Sequence, residues 1–394
     1  MNRHAWPTAY VMDSDPQALS VARDLGRHGV EVVILTYKPH APGRYSRYAT
    51  SHVLPRIDEH QELWLEHLLQ EARRQRGRSV LIPSTDRFVE FVARYREQLD
   101  PHFYIPLPSR AVLENILDKR KQYHLAAEVG IPLPRTLSPT CEADVERLNG
   151  QWTYPCILKP VVPHRWIRAY QNGYKLLIAK SHDELLKGYQ DARQRGLDVL
   201  IQEQIPGKEE NLYSLYFYAN ASGQVLGAGV GRKLRQFPPG LGNGTLRETV
   251  DEPRVVELGT RFIRSVGFHG IGNVEFRRDP RDGAFKLMEL NTRTALGEEA
   301  VIVGGVHLPY LAYRDLIGQP LPAQQRCQSG IKWWYFETDV RAFKAYRKRK
   351  ELTVFQWLRS VWGCRAFAYF AWDDLRPFVV AMRTFLWKWK EGMI

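Results

Sequence analysis

The side chains best placed to do chemistry lie in residues 270–299, GIGNVEFRRDPRDGAFKLMELNTRTALGEE. Glu275, Glu289 and Asn291 offer two carboxylates and an amide oxygen. Such an all-oxygen set suits a hard divalent cation, and Mg²⁺ characteristically takes one or two carboxylates and completes its shell with water and nucleotide phosphates. Arg293, two residues beyond Asn291, would approach the same phosphates. The element that must position them reads as a β-hairpin. Residues 271–277 and 284–290 alternate apolar and polar side chains, and Asp279-Pro280-Arg281-Asp282-Gly283 between them is turn chemistry. Period two puts Glu289 and Asn291 on one face, and Glu275 joins them if the turn holds an odd number of residues. A lone E-x-N on a hairpin serves equally as a solvated acidic face, so the rest of the chain must decide.

At 394 residues the chain is long enough for two or three domains with cores of their own. A formal net charge of +13 suits phosphate-bearing ligands, nucleic acid or an anionic membrane, and selects none of them. Cys141, Cys156, Cys327 and Cys364 have no metal-ligand or disulfide spacing, so reduced thiols in a cytoplasmic protein are expected. The first residues carry no apolar run of signal-peptide length, and no apolar stretch reaches the span of a membrane helix.

Residues 8–12, a helix at 17–27 and a buried strand at 30–36 form a β-α-β unit of the parallel-sheet kind. The turn after the first strand, DSDP, has no G-x-G-x-x-G and therefore no dinucleotide cradle. A helix at 60–76, a strand at 79–82 and a helix at 87–98 complete a first domain. Ligands of open parallel sheets lie beyond the carboxyl ends of strands, so Asp13, Ser14, Ser84, Thr85 and Asp86 are substrate candidates; helix capping explains the same residues. Further on, the pattern predicts one long helix over 109–130, strands at 154–160 and 199–204, and a hairpin over 213–230. GRKLRQFPPGLGNGTLRE reads as a basic, glycine-rich loop, and a helix at 253–266 leads into the acidic hairpin. Lys159 closes an apolar strand, where a lysine must emerge into a pocket or solvent.

In this order the parts resemble the ATP-grasp ligases: D-K at 118–119, a strand ending I-L-K-P, a strand ending Q-E-Q-I-P-G, a basic glycine loop, then V-E-F and E-L-N-T-R. The resemblance covers residues 113–318. It implies an α/β fold of ATP-grasp architecture with a pre-domain at 1–112 and an ATP-grasp domain at 113–318. The latter's small (about 113–200) and large (about 201–318) subdomains would clamp ATP. The roles it implies are Lys119 and Lys159 on the α- and β-phosphates, and Gln202, Glu203 and Ile205 as the linker facing adenine. Glu209 or Glu210 would hold the ribose, and the spacing does not say which. Glu275, Glu289 and Asn291 match the family's Mg²⁺ ligands, and Arg293 its anion-stabilising arginine. Arg232, Lys233 and Arg235 resemble residues that contact the γ-phosphate or an acyl phosphate. One departure stands out: the loop after Lys159 has only Gly173 near its far end, so the usual glycine-rich phosphate cover is missing.

The implied chemistry is ATP- and Mg²⁺-dependent activation of a carboxylate as an acyl phosphate, which an amine then attacks, releasing ADP and phosphate. The substrates would be a small-molecule or envelope-precursor acid and amine. A silent nucleotide-binding or membrane-docking protein is the alternative; a nucleic-acid binder ranks third and is not expected. Residues 319–394 read as an aromatic, basic extension. Residues 331–394 hold 7 of the 11 tryptophans and 13 Lys and Arg against 6 Asp and Glu. Asp374 can cap a helix at 375–390 whose Phe378, Val379, Met382, Phe385, Leu386 and Trp389 form one apolar stripe, with Arg376, Arg383 and Lys390 on the other side. That helix would dock on the protein's own core, on a partner chain or on an anionic membrane surface. Oligomeric state is not legible.

Overall fold

A computed structural model of the chain describes residues 6–161, 166, 169–170, 176–240, 242–323 and 326–392. Gly173 and most of the loop expected to cover the phosphates lie outside the described residues.

The first sheet is parallel throughout: β1 (Ala9–Met12), β2 (Val32–Thr36), β3 (Thr50–Val53), β4 (Ser79–Pro83) and β5 (Phe103–Tyr104) in the order β3-β2-β1-β4-β5. β1, β2 and β4 are buried on both faces because both are covered. Ala9 and Val11 pack under the helix Pro16–Arg27, while Tyr10 and Met12 meet Trp64 and Phe88 from the helices Gln61–Arg74 and Asp86–Arg94. Tyr313, on the helix Leu308–Leu316, completes the first of these cores and ties the opening domain to the rest of the chain. β3 carries no apolar alternation, TSHV being half-exposed, and sequence patterning misses it.

A small sheet follows, β6 (Thr136–Leu137), β7 (Cys156–Pro160), β8 (Leu177–Ala179) and β9 (Val199–Glu203), antiparallel in the order β6-β9-β7-β8. The large sheet comprises β10 (Leu212–Ala219), β11 (Val225–Phe237), β12 (Asn243–Val250), β13 (Gly270–Arg278), β14 (Phe285–Asn291), β15 (Lys332–Trp334) and β16 (Ala366–Phe367). Their order is β14-β13-β10-β11-β12-β15-β16. Leu215, Phe217, Val274 and Phe276 face the helix Pro253–Ser265, and Tyr216, Tyr218 and Ile271 face the opposite layer.

Three expectations need correction. The helix predicted over 109–130 is two, Arg110–Leu117 and Lys119–Glu128. Asp118 between them is extended (ψ 108°), and its carboxylate accepts from Arg120 N at 2.8 Å, capping the second helix. The stretch read as a basic loop is strand on both sides of a short turn, the second half of β11 and all of β12. Asp374 does not cap the final helix, Arg376–Lys390. It is buried against Arg23 of the first domain at 2.9 Å and also accepts from Ser46 Oγ and Arg47 N. The stretch from 319 onward adds β15 and β16 to the large sheet. Among the described residues no helix is long and apolar enough to cross a membrane.

Candidate active site

The acidic hairpin forms, and a β-bulge sets its chemistry. β13 and β14 pair Phe276 with Leu287 but Glu275 with Glu289 and Asn273 with Asn291, so Met288 is the extra residue. Without that bulge Glu275 would oppose Met288, and its carboxylate would face away from Glu289. With it, four oxygen-bearing side chains lie in two facing pairs. Asn291 Nδ2 donates to Asn273 Oδ1 (3.2 Å) and to Glu289 Oε1 (3.4 Å).

These residues open onto a cleft of about 820 Å³ between the small and large sheets. Lys119 reaches in from the helix Lys119–Glu128 and pairs with Glu289 at 2.8 Å. Burial opposes its charge, but Glu289 and Tyr123 raise its pKa on balance. Lys159 emerges from β7 into the cleft. Its ammonium donates to Tyr123 Oη and, at 3.0 Å, to Gln202 Oε1. Burial, reinforced by Lys119, pulls Lys159 well below the usual lysine range, and an anion arriving beside it would oppose that shift. Burial pushes the Tyr123 phenol up to about 12 and keeps it a donor-capable hydroxyl.

Sheet parity sorts the basic residues. Lys233 opposes Arg247 across β11 and β12, and both line the cleft while nearly buried, at 7% and 6% exposure. Two cations directly opposed on one sheet face repel, which an anion between them would relieve. Arg247 is held by Ser214 Oγ (3.2 Å) and Tyr216 Oη (3.1 Å), and its Nε has no hydrogen-bond partner among the described residues. A Cβ at Gly244 would fall 2.5 Å from that Nε, so glycine is what lets the guanidinium lie there. Arg232 faces the other side and pairs with Glu248. Arg235, expected to contact the reacting groups, is absent from the cleft. A second bulge at Leu234 turns it to the far face, where its guanidinium grips Asp339 at 2.7 and 2.9 Å. Asp339, fully buried, also accepts from Thr245 Oγ1, Trp334 Nε1 and Trp357 Nε1. Arg235 is thus part of a buried structural network.

The remaining expectations divide similarly. Gln202 and Ile205 line the cleft; Glu203 does not. Its carboxylate takes Arg281 (2.8 Å) and Lys286 (3.1 Å), and its amide is spent on Arg135 O at 2.9 Å, so neither is available to a ring in the cleft. Glu209 lines the cleft and accepts from Tyr346 Oη at 2.7 Å, whereas Glu210 is exposed outside it. Among the strand-end candidates, Thr85 and Asp86 line the cleft, and Asp86 holds Arg293 at 2.6 Å. Asp13, Ser14 and Ser84 lie beneath its wall: Asp13 pairs with Lys38 (3.1 Å), and Ser14 Oγ meets Thr36 Oγ1 (2.8 Å). Asp13 adopts a φ of 102°, turning the chain so that Asp15 faces the cleft in its place. Asp15, Tyr123, Arg247, Tyr335 and Thr338 escape sequence reasoning. Only Tyr123 had a signal, lying one helical turn after Lys119.

Residues 197–338 match the model of the family described as ATP-grasp in the biosynthetic pathway with Ter operon. The chain is 24% identical over 289 residues to a D-aspartate ligase of Enterococcus faecium, spanning 70% of this chain and 68% of that one. Among solved structures it resembles the L-amino acid ligase from Bacillus licheniformis (TM-score 0.59, 15% identity, 79% of this chain and 74% of that one). It also resembles a biotin carboxylase from Campylobacter jejuni (TM-score 0.65, 17% identity, 82% and 74%). At such identities the structural likeness speaks for the fold, and it agrees with what the family model and the ligase relative indicate from sequence. The match over residues 197–338 and the likeness to these solved structures show that the chain has the ATP-grasp fold.

Proposed function

We propose that this protein is an ATP-dependent carboxylate–amine ligase: the γ-phosphoryl group passes to a carboxylate oxygen, and an amine displaces phosphate from the acyl phosphate, leaving ADP and phosphate. The observation that carries the reading is the division of charge in one cleft. The carboxylates and amides of β13 and β14 face Lys119 and Lys159, with Lys233 and Arg247 on the same sheet face. Phosphoryl transfer needs positioning and charge stabilisation rather than a protein nucleophile, and this cleft supplies both.

The donor set fits Mg²⁺. Glu275 and Glu289 present carboxylate oxygens, Asn291 can turn its amide oxygen to the same ion in place of the bond its Nδ2 gives Glu289, and two carboxylates leave room for phosphate and water ligands. A divalent ion held there would offset phosphate charge. Lys119 and Lys159 would take the α- and β-phosphates, Lys233 and Arg247 the transferred group, and Arg293, released from Asp86, the developing oxyanion. The apolar wall of Ile157, Ile205, Leu212 and Met288 suits a base ring, and Glu209 lies where a ribose would follow. The test is a screen of acids and amines, amino acids first because the relatives' names carry them, for phosphate release with the nucleotide product identified. Acid- and amine-dependent ADP is expected. AMP with pyrophosphate, or no stimulated turnover across the set, would overturn the reading.

We also infer that the enzyme works at an anionic membrane surface. Ten of the fifteen exposed large apolar side chains among the described residues fall between 354 and 389, including Phe355 (73%), Trp362 (83%) and Trp372 (85%). The final helix docks through Pro377, Ala381 and Phe385, leaving Leu375, Val379, Leu386, Trp387 and Trp389 outward beside Arg376, Arg383 and Lys390. Outward Trp and Leu flanked by cations suit an anionic bilayer, each cation contributing about 1 kcal/mol near the surface.

A further inference from the structure

A second cluster of ligating side chains lies in the first domain, and none of its members lines the cleft. His52 stands on β3, the edge strand; His67 and Glu71 stand one turn apart on the helix Gln61–Arg74 that packs beside it. His52 Nδ1 and His67 Nε2 are 3.0 Å apart, and the ligand atoms of all three residues lie within 4.8 Å of one another. Two imidazole nitrogens on one tetrahedral Zn²⁺ ion, each about 2.0–2.1 Å from it, sit about 3.3 Å apart, close to the spacing found. Glu71 is itself oriented: Tyr10 Oη donates to Oε2 at 3.3 Å, and Arg74 holds Oε1 from an arm that is 72% exposed and free to swing. A ligating carboxylate fixed by outer hydrogen bonds is the usual arrangement at metal centres.

We propose that His52, His67 and Glu71 bind a divalent transition-metal ion of the Zn²⁺ class and clip β3 to the helix Gln61–Arg74. The need for a clip follows from the strand. β3 has four residues, none fully buried, so apolar packing gives it little hold on the sheet edge. Two neutral imidazoles and one carboxylate leave a coordination position for water, and the N₂O set favours a borderline ion over Mg²⁺.

The test uses the full chain, stripped by a chelator and titrated with Zn²⁺ against a chromophoric competitor, with melting temperature and Co²⁺ visible absorption followed in parallel. One equivalent should bind and raise the melting temperature. His52→Gln and His67→Gln should each weaken that equivalent at least as much as loss of an outer-shell partner does, about 10- to 100-fold, and remove the thermal shift. Glu289→Gln should keep both, which separates this site from the acidic hairpin. Zn²⁺ affinity and thermal shift unchanged in both histidine variants, or lost only in Glu289→Gln, would overturn the proposal. Should His67→Gln melt early without metal, the half-buried His52 on the strand decides alone.

Discussion

Replacing Glu289 by Gln removes one charge from the acidic hairpin with almost no change in shape. At about 4 Å and an effective dielectric near 20, a unit charge pair is worth about 4 kcal/mol, and a divalent ion would feel about twice that. Water reaches Glu289, which is 33% exposed, and Lys119, 2.8 Å away, already offsets part of its field. Halving the divalent figure leaves about 4 kcal/mol, or about a 10³-fold fall in turnover. The fold should tolerate the change. A partly exposed ion pair such as Lys119–Glu289 contributes about 0–1 kcal/mol to stability, so the melting temperature should move little. Phosphate release at saturating Mg²⁺, with a melting curve on the same sample, separates the two effects. Turnover within about tenfold of the parent would refute the metal assignment, since no ligand carboxylate is that dispensable. A collapse of the melting temperature would instead show that Glu289 holds the two subdomains together.

Lys233 and Arg235 should part company. Lys233→Ala should lower turnover by about 10²-fold at unchanged stability, as loss of one charge-stabilising group does. Arg235→Ala should spare the chemistry of the molecules that fold but cost about 3–5 kcal/mol, because Asp339 is left buried and unpaired; denaturant melts and turnover per folded molecule distinguish them. Glu298 gives a pH signature. Burial first, with Asp24 and Glu299 adding, pushes its carboxyl up to about 8 against the Ala295 amide that bonds it. The folded chain then keeps a proton that the unfolded chain loses near 4.5, so this stability is whole below that pH and lost as pH rises through 8. Glu298→Gln should therefore melt like the parent near pH 5 and above it near pH 8.5, and a gain independent of pH would count against this. Finally, changing Trp372, Trp387 and Trp389 together to Ser should abolish sedimentation with anionic liposomes and leave melting unchanged. Truncation after Asp373 is the poorer test, since it strips Arg23 of Asp374, its buried partner.

By itself the sequence determined the chemical inventory and most of the order of elements, β3, the break at Asp118 and the strands through the basic stretch excepted. Alternating apolar residues mark β13 and β14, the apolar run at Val32–Thr36 marks a strand covered on both faces, and K-P and E-L-N-T-R fall at strand ends where side chains meet a ligand. These are local signals, carried by period and by turn residues. Which side chains share the cleft was decided only by tertiary structure. A single extra residue inverts every side chain beyond it, and sequence does not announce a bulge. Met288 brings Glu275 opposite Glu289, and Leu234 sends Arg235 to Asp339 while Lys233 stays with Arg247. Long-range pairing likewise settled the C-terminal stretch: helix periodicity shows that residues 376–390 have an apolar side, but Asp374 meets Arg23 across about 350 residues of chain. A contact of that separation leaves no periodic trace, because neither residue's neighbours need change to make it.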